Sequence, residues 1–246
     1  MDDGRVRWQR PGSMDPTAPK LAVIDVNLWT VEQQLRLVAG VWLPVRSVIV
    51  RLSDGGLIIF SPIPRLTELA DQIRSWGPVR ALVSPTLYHH LGLVAGHRAF
   101  PEAALYGPPS IRRKRPELTF TGTLGDAPEA LWAQDLDQLA IQGLRNLEEL
   151  AFFHRPSKTL LLGDLTFNVG RPERFVSRFV LRRTDSWGHF GPSKLVKQTF
   201  RDPAAVRASV DRMLAWGPQR VVMSHGEPVE ADAAQRLDQA FAFLKG

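Results

Sequence analysis

QIRSWGPVRALVSPTLYHH (Gln72–His90) and DRMLAWGPQRVVMSHGEP (Asp211–Pro228) follow one pattern. Each contains the end of a helix, the residues Trp-Gly-Pro-x-Arg, an apolar strand, a serine and then histidine. A Gly-Pro pair ends a helix, and a continuous apolar run is typical of a strand that is buried on both faces. The repeated order predicts an α/β fold in which two similar units each place histidine just beyond the carboxyl end of a strand, where α/β folds build their sites.

The flanking sequence supplies further strands and helices. Two β-branched runs, Ser47–Leu52 and Leu57–Ser61, flank Ser-Asp-Gly-Gly and predict a β-hairpin. Apolar residues at helical spacing predict a helix over Leu66–Trp76. The stretch from Glu148 to Asn168 predicts two strands around a turn at residues 155–158.

The rest of the chain is less regular until its end. Residues 110–133 have no clear period and are interpreted as loop and turn, including the basic run IRRKRP. Residues 169–203 predict irregular helix and loop. A clear helix then follows, with Asp202 as its cap and Pro203 in its first turn.

Composition limits the chemistry. The chain has 246 residues, a formal net charge of +6 and no cysteine, which excludes disulfides, thiolate metal sites and cysteine nucleophiles. No apolar run approaches the roughly 20 residues that span a bilayer. The polar, Pro- and Gly-containing residues 1–19 are expected to be a disordered tail, and residues 20–246 a single domain in a cytoplasmic protein.

Polar side chains follow three of the predicted strands. His89 and His90 follow the first repeated strand, Asp164 follows TLLL, and His225 follows the second repeated strand. Imidazole and carboxylate groups are ligands for zinc, iron or manganese. The sequence therefore predicts that these four side chains meet at one metal site, although a histidine at a strand end also serves as an ordinary hydrogen-bonding residue.

The motifs SPTLYHHLG, LLLGD and SHGEP, in this order, resemble the metallo-β-lactamase superfamily. VIVRLSDGGLIIFSP, GPPSIRRKRPEL and FFHRPSKTLLLGDLTFN resemble its DUF4336 branch, which has no established activity. The resemblance implies a four-layer αββα sandwich of two mixed β-sheets. It places the histidines of the first metal position of the superfamily on Pro85, on Leu87 and near Arg145, none of which ligates metal.

The same resemblance implies that the second metal position of the superfamily is retained. It would contain His90, Asp164 and His225, with His89 in place of an aspartate. The resemblance implies one divalent ion, zinc or else iron or manganese, and hydrolysis of an ester, lactone, thioester or phosphoester. The alternative is a protein of the same fold that has no metal and no catalytic activity and binds a small molecule or a protein partner.

Three further residues are secondary candidates. Glu149 precedes a strand and is a candidate general base or extra metal ligand, and Asp164 and Glu149 are the candidate catalytic residues. Tyr88 and His189 are candidates for substrate binding. Each of the three also has a purely structural interpretation. A small molecule is the expected partner. A membrane is not expected, nucleic acid is disfavoured because no nucleic-acid-binding module is visible, and a homodimer remains open.

Overall fold

The computed structural model describes residues 19–37, 40–170, 172 and 174–245. The tail predicted over residues 1–19 lies outside this part of the chain, apart from Pro19. No helix in the described ranges has the length and apolar character needed to cross a membrane.

The first β-sheet has sequential strand order. Among the described residues its strands are β1 (Lys20–Asp25), β2 (Leu28–Arg36), β3 (Trp42–Arg51), β4 (Leu57–Phe60), β5 (Val79–Val83), β6 (Ala104–Gly107) and β7 (Gly122–Thr123). Strands β1 to β4 pair antiparallel, and β4 to β7 pair parallel. The predicted hairpin is confirmed as β3 and β4.

The second β-sheet has the order β11-β10-β9-β8. Its strands in the described ranges are β8 (Leu136–Ala140), β9 (Leu150–His154), β10 (Thr159–Leu162) and β11 (Arg220–Met223). Strands β8, β9 and β10 pair antiparallel, whereas β10 and β11 pair parallel. Both sheets are therefore mixed.

Seven helices are present in the described ranges. They are α1 (Ala70–Trp76), α2 (Leu93–Ala99), α3 (Ile111–Lys114), α4 (Phe175–Arg183), α5 (Lys194–Lys197), α6 (Pro203–Ala215) and α7 (Ala233–Ala240), with 3₁₀ turns at Pro64–Leu69 and Ala242–Leu244. The predicted cap of α6 is confirmed, since the Asp202 side chain accepts a hydrogen bond from the backbone N–H of Ala205 at 3.0 Å.

Two details of the prediction were wrong. The helix predicted from Leu66 begins as the 3₁₀ turn Pro64–Leu69 and becomes α-helical only at Ala70. The segment 110–133, interpreted as loop, contains the single helical turn α3 and the two-residue strand β7. Helix α3 and strand β7 are too short to show a periodic pattern in the sequence.

Alternating side chains divide the core into layers. In β4, Ile58 and Phe60 point between the sheets, and the Phe60 ring contacts that of Phe152 from β9 at a centroid distance of 4.7 Å. The neighbouring Leu57 and Ile59 point outward, where they pack with residues of α1, α2 and α3.

Helices α4, α6 and α7 cover the outer face of the second sheet in the same way. The chain therefore forms the predicted αββα sandwich. The carboxyl ends of β5, β10 and β11 lead into the loops that carry the candidate residues.

Candidate functional site

Three of the predicted ligands converge. One ligand atom from each of His89, Asp164 and His225 lies within 4.8 Å of the others. Asp164 Oδ1 is 3.0 Å from His225 Nε2 and 3.3 Å from His89 Nε2. Within the described ranges, no other group of His, Cys, Asp and Glu side chains meets in this way.

The position of the His225 ring is fixed by its neighbours. Its Nδ1 lies 2.9 Å from the backbone carbonyl oxygen of Pro44 on β3, and its ring stacks on Phe167 at 4.9 Å with an interplanar angle of 7°. Because a carbonyl only accepts hydrogen bonds, Nδ1 carries the proton and Nε2 faces Asp164.

Buried Arg46 on β3 holds the loop that carries His225. Its guanidinium donates to the carbonyl oxygens of Met223, at 3.0 Å, and of Gly226. Its backbone N–H donates to the carbonyl of Ser224 at 2.9 Å. The Glu32 carboxylate accepts from the same guanidinium at 2.7 Å. Arg46, a residue of the first sheet, therefore positions the loop that follows strand β11 of the second sheet.

Asp164 lies in a largely buried, positively biased position. Burial raises the pKa of its carboxyl, but His89 and His225 outweigh burial and hold that pKa well below its usual range. The other oxygen, Oδ2, accepts a hydrogen bond from the Thr86 hydroxyl at 2.6 Å. Asp164 is therefore an ionised carboxylate with one oxygen oriented by Thr86 and the other directed at the two histidines.

Glu149 lies beneath this group and is 1% exposed. Its two carboxylate oxygens accept hydrogen bonds from the backbone N–H groups of Gly163, at 2.6 Å, and Asp164, at 3.0 Å. Burial and the negative charge of Asp164 raise the pKa of Glu149, while the backbone donors oppose that rise. These contacts position the strand end that presents Asp164, and Glu149 is not one of the three converging residues.

His90 lies outside the group of three. It is buried, and its Nδ1 has no hydrogen-bond partner among the described residues. Burial, with the charges of Lys114, Arg115 and His89, lowers the pKa of its imidazole to about 3. His90 is therefore neutral at physiological pH. The charges that act on it come from Lys114, Arg115 and His89, and Asp164 is not among them.

The basic run at residues 111–116 holds the turn that carries the two histidines. Lys114 Nζ donates to the carbonyl of Leu87 at 3.0 Å, and Arg115 donates to the carbonyl of His90 at 3.2 Å. The Lys114 ammonium also lies 4.5 Å from the centre of the Tyr88 ring. No sequence motif indicated this contact, because it joins two segments that the fold brings together.

The two candidates for substrate binding lie in different places. Tyr88 is adjacent to His89 in the chain and 40% exposed, and burial together with the negative charge of Asp164 raises the pKa of its phenol. His189 instead lines a separate open cavity of about 380 Å³ with Lys197 and Arg236. None of the three converging residues lines that cavity.

A second cavity, of about 290 Å³, lies behind the His225 loop. Pro44, Trp42, Ser177 and Gly226 are among its lining residues. Its lining includes neighbours of His225 but not His89, Asp164 or His225, so this cavity does not contain the converging residues.

Comparisons with known proteins give a family and a fold. A family model described as "Domain of unknown function (DUF4336)" matches residues 25–179. No curated protein sequence matches the chain at a significant level.

Solved structures of metallo-β-lactamases are similar over nearly the whole chain. One from Erythrobacter litoralis, with beta mercaptoethanol in its active site, has a TM-score of 0.66 at 16% identity and covers 94% of this chain and 100% of its own. One from Pontibacter korlensis has a TM-score of 0.65 at 15% identity, covering 93% and 99%. FIM-1 from Pseudomonas aeruginosa, in a mono-zinc form, has a TM-score of 0.65 at 13% identity, covering 92% and 96%.

Proposed function

Because the chain belongs to the DUF4336 family and has the metallo-β-lactamase fold, we propose that it is a hydrolase with a single divalent metal ion. The proposed ligands are His89, Asp164 and His225. His90, the fourth ligand expected from the sequence, lies outside this group and is not included.

The observation that carries the proposal is the contact between His225 and Asp164. The Nδ1 proton of His225 is directed at the Pro44 carbonyl, so a ring with that proton alone would present a lone pair from Nε2 to the Asp164 carboxylate at 3.0 Å. Two acceptors repel at this distance unless a positive charge lies between or beside them. A second proton or a metal ion supplies that charge.

The donor set fits a divalent ion. Two imidazoles and one carboxylate are ligands that zinc, iron and manganese accept. Ligand atoms about 2.0–2.1 Å from a tetrahedral ion lie roughly 3.4 Å from one another. The two measured separations from Asp164 Oδ1, 3.0 and 3.3 Å, are close to that spacing. The hydrogen bonds from Thr86 to Asp164 and from His225 to Pro44 are of the kind that orients metal ligands.

One ion fits better than two. The positions at which the superfamily would hold a first metal are Pro85 and Leu87, whose side chains have no donor atom, and exposed Arg145. Zinc is the metal we propose, and iron or manganese would suit the same donors.

The reaction that we propose follows from the chemistry of this donor set. When bound, a divalent ion polarises a carbonyl or phosphoryl oxygen and lowers the pKa of a water molecule at the site. Asp164 holds its negative charge beside the two imidazoles, and Glu149 keeps the backbone of Asp164 in place. Tyr88, which is 40% exposed and adjacent to His89 in the chain, is the residue that we propose to contact a small ester, lactone, thioester or phosphoester.

A second candidate function is supported by one observation. His89 Nε2 and His225 Nε2 both lie within hydrogen-bond distance of Asp164 Oδ1, so hydrogen bonds from the two rings would satisfy this carboxylate oxygen. In that case the chain is a non-hydrolytic protein that binds a small molecule or a protein partner.

Elemental analysis of protein expressed with zinc, iron and manganese in excess tests the proposal. We expect about one ion per chain in the wild type and a loss of at least tenfold in His225→Ala and Asp164→Asn. His97→Gln, on α2 and outside the group, is the matched control and should keep its metal. Less than a tenth of an ion per wild-type chain would favour the second candidate.

Hydrolysis is then measured on paired ester, lactone, thioester and phosphoester substrates. We expect activity on at least one class, with loss in the same variants that lose the metal. A full complement of metal with no hydrolysis of any class would contradict a catalytic role and leave a metal-containing binding protein.

A further inference from the structure

Helix α4 presents apolar side chains to solvent. Phe175 is 75% exposed, Phe179 is 55% exposed and Val176 is 44% exposed. Phe175 and Phe179 lie one turn apart on the same face, while buried Ser177 and Leu181 lie on the opposite face. Two neighbouring aromatic rings in water are unfavourable, and nothing in the core of the domain requires them there.

The same face is basic. Arg182 and Arg183 are exposed near the two rings, and the Arg183 guanidinium lies 5.3 Å from the centre of the Phe179 ring. The helix itself contains no acidic residue. An aromatic and arginine-rich face of this kind suits a partner with an apolar interior and an anionic surface.

The helix is held firmly by its other side. The Ser177 hydroxyl accepts a hydrogen bond from the backbone N–H of Trp42 on β3 at 2.8 Å, and Leu181 packs in the core under the second sheet. The Arg174 guanidinium lies 4.5 Å from the centre of the Trp42 ring. The exposed face is therefore presented by a helix that is already folded and packed.

We infer that this face of α4 binds the surface of an anionic phospholipid membrane. Phe175 and Phe179 enter the boundary between headgroups and acyl chains, Val176 follows them, and the arginines contact lipid phosphates. In this binding mode the protein lies on the bilayer surface.

A second copy of the chain fits this face less well. The exposed apolar area of the three side chains is roughly 300 Å², whereas a stable interface buries about 800 Å² on each partner. A symmetric dimer through α4 would also bring arginines against arginines, because the helix has no carboxylate to pair with them.

Vesicle flotation tests the inference. The full-length wild type is mixed at 50 mM and 500 mM salt with vesicles of phosphatidylcholine alone or with 30 mol% phosphatidylglycerol added. We expect binding to the anionic vesicles that weakens at high salt and is at least tenfold weaker to phosphatidylcholine. Phe175→Ser/Phe179→Ser should lose at least tenfold in affinity for the anionic vesicles, and Arg182→Gln/Arg183→Gln on the order of tenfold at 50 mM salt. Val23→Ser/Val26→Ser, which changes two equally exposed valines at the β1–β2 turn, is the matched control and should bind as the wild type does.

A second measurement reports insertion directly. The chain has no cysteine, so Phe175→Cys and Val26→Cys each create a unique site for a polarity-sensitive fluorophore. We expect a blue shift on anionic vesicles for the label on α4 and none for the label at the turn. Absence of binding to anionic vesicles, or equal binding by the wild type and the phenylalanine variant, would overturn the inference. A dimer in sedimentation that the phenylalanine variant abolishes, or a preference for an RNA oligonucleotide over vesicles that depends on the same residues, would also overturn it.

Discussion

Asp164 and His225 occupy equivalent places beyond two paired strands. Leu162 of β10 and Met223 of β11 are register partners, and Asp164 and His225 each lie two residues beyond that pair. The parallel register therefore brings the carboxylate and the imidazole to 3.0 Å, although 60 residues separate them in sequence.

Removing the hydroxyl that orients Asp164 should weaken metal binding. Thr86→Val keeps the shape of the side chain but removes the 2.6 Å hydrogen bond to Asp164 Oδ2. Loss of a hydrogen bond of this kind typically lowers metal affinity by about 10–100-fold. Competition with a zinc chelator measures the affinity, and Thr86→Ser, which keeps the hydroxyl, is the control. Equal affinities for the valine variant and the wild type would show that Thr86 does not orient a ligand.

Glu149 should matter for stability without any metal present. Glu149→Leu leaves the backbone N–H groups of Gly163 and Asp164 buried without an acceptor. Each unsatisfied group costs about 1–3 kcal/mol, so we expect the free energy of unfolding to fall by about 3 kcal/mol or more. Glu149→Gln keeps one acceptor oxygen, so its free energy of unfolding should lie between those of the wild type and Glu149→Leu. Urea unfolding of metal-free protein measures this order, and a leucine variant as stable as the wild type would refute the positioning role.

Two glycines with positive φ provide a matched pair. Gly226 follows His225 and has φ of 93°, and a Cβ there would lie 2.2 Å from backbone atoms of Asn168. Gly217 has φ of 66° with no atom within 4 Å of a Cβ. Gly217→Ala should cost about 1–2 kcal/mol from backbone strain alone. Gly226→Ala should lower the free energy of unfolding by clearly more than Gly217→Ala does. It should also lower metal occupancy, because the His225 loop must move. Thermal unfolding and elemental analysis check both, and equal effects would contradict the close approach.

The buried histidine at the end of β9 should make stability depend on pH. Burial lowers the pKa of His154 below the usual histidine value of about 6.5, while the negative charges of Asp135 and Asp25 oppose this shift, so the folded state favours the neutral ring. As pH falls through about 6.5, His154 binds a proton in the unfolded chain before it does so in the folded chain. The contribution of neutral His154 to stability is therefore complete above pH 6.5 and is lost progressively below it. His154→Gln should flatten the stability curve below pH 6.5, by at most about 1.4 kcal/mol per pH unit, and leave it parallel to the wild type above pH 7. Parallel curves at pH 5 would disprove this assignment.

The sequence was informative where local chemistry decides the structure. The strands β5 and β11 are continuous apolar runs that follow Gly-Pro stops, and the β3–β4 hairpin has an unambiguous turn. The resemblance to the metallo-β-lactamase superfamily then supplied the arrangement of the two sheets. These features fixed the strand ends from which His89, Asp164 and His225 project.

What the sequence left open depends on contacts between distant segments. Adjacent residues such as His89 and His90 point in different directions, and the conformation of the turn decides which one faces Asp164. The roles of Thr86 and Arg46 arise from pairings with residues far along the chain. A basic run that has no periodic pattern formed α3, whose Lys114 binds a carbonyl of that turn.

The converging residues come from both halves of the sandwich. His89 follows a strand of the first sheet, whereas Asp164 and His225 follow strands of the second. An ion held there would cross-link the two sheets at one rim, as a disulfide cross-links segments in proteins that have cysteine. Chelation should then loosen the rim as a unit, so that amide hydrogen exchange accelerates together in β5, β10 and β11.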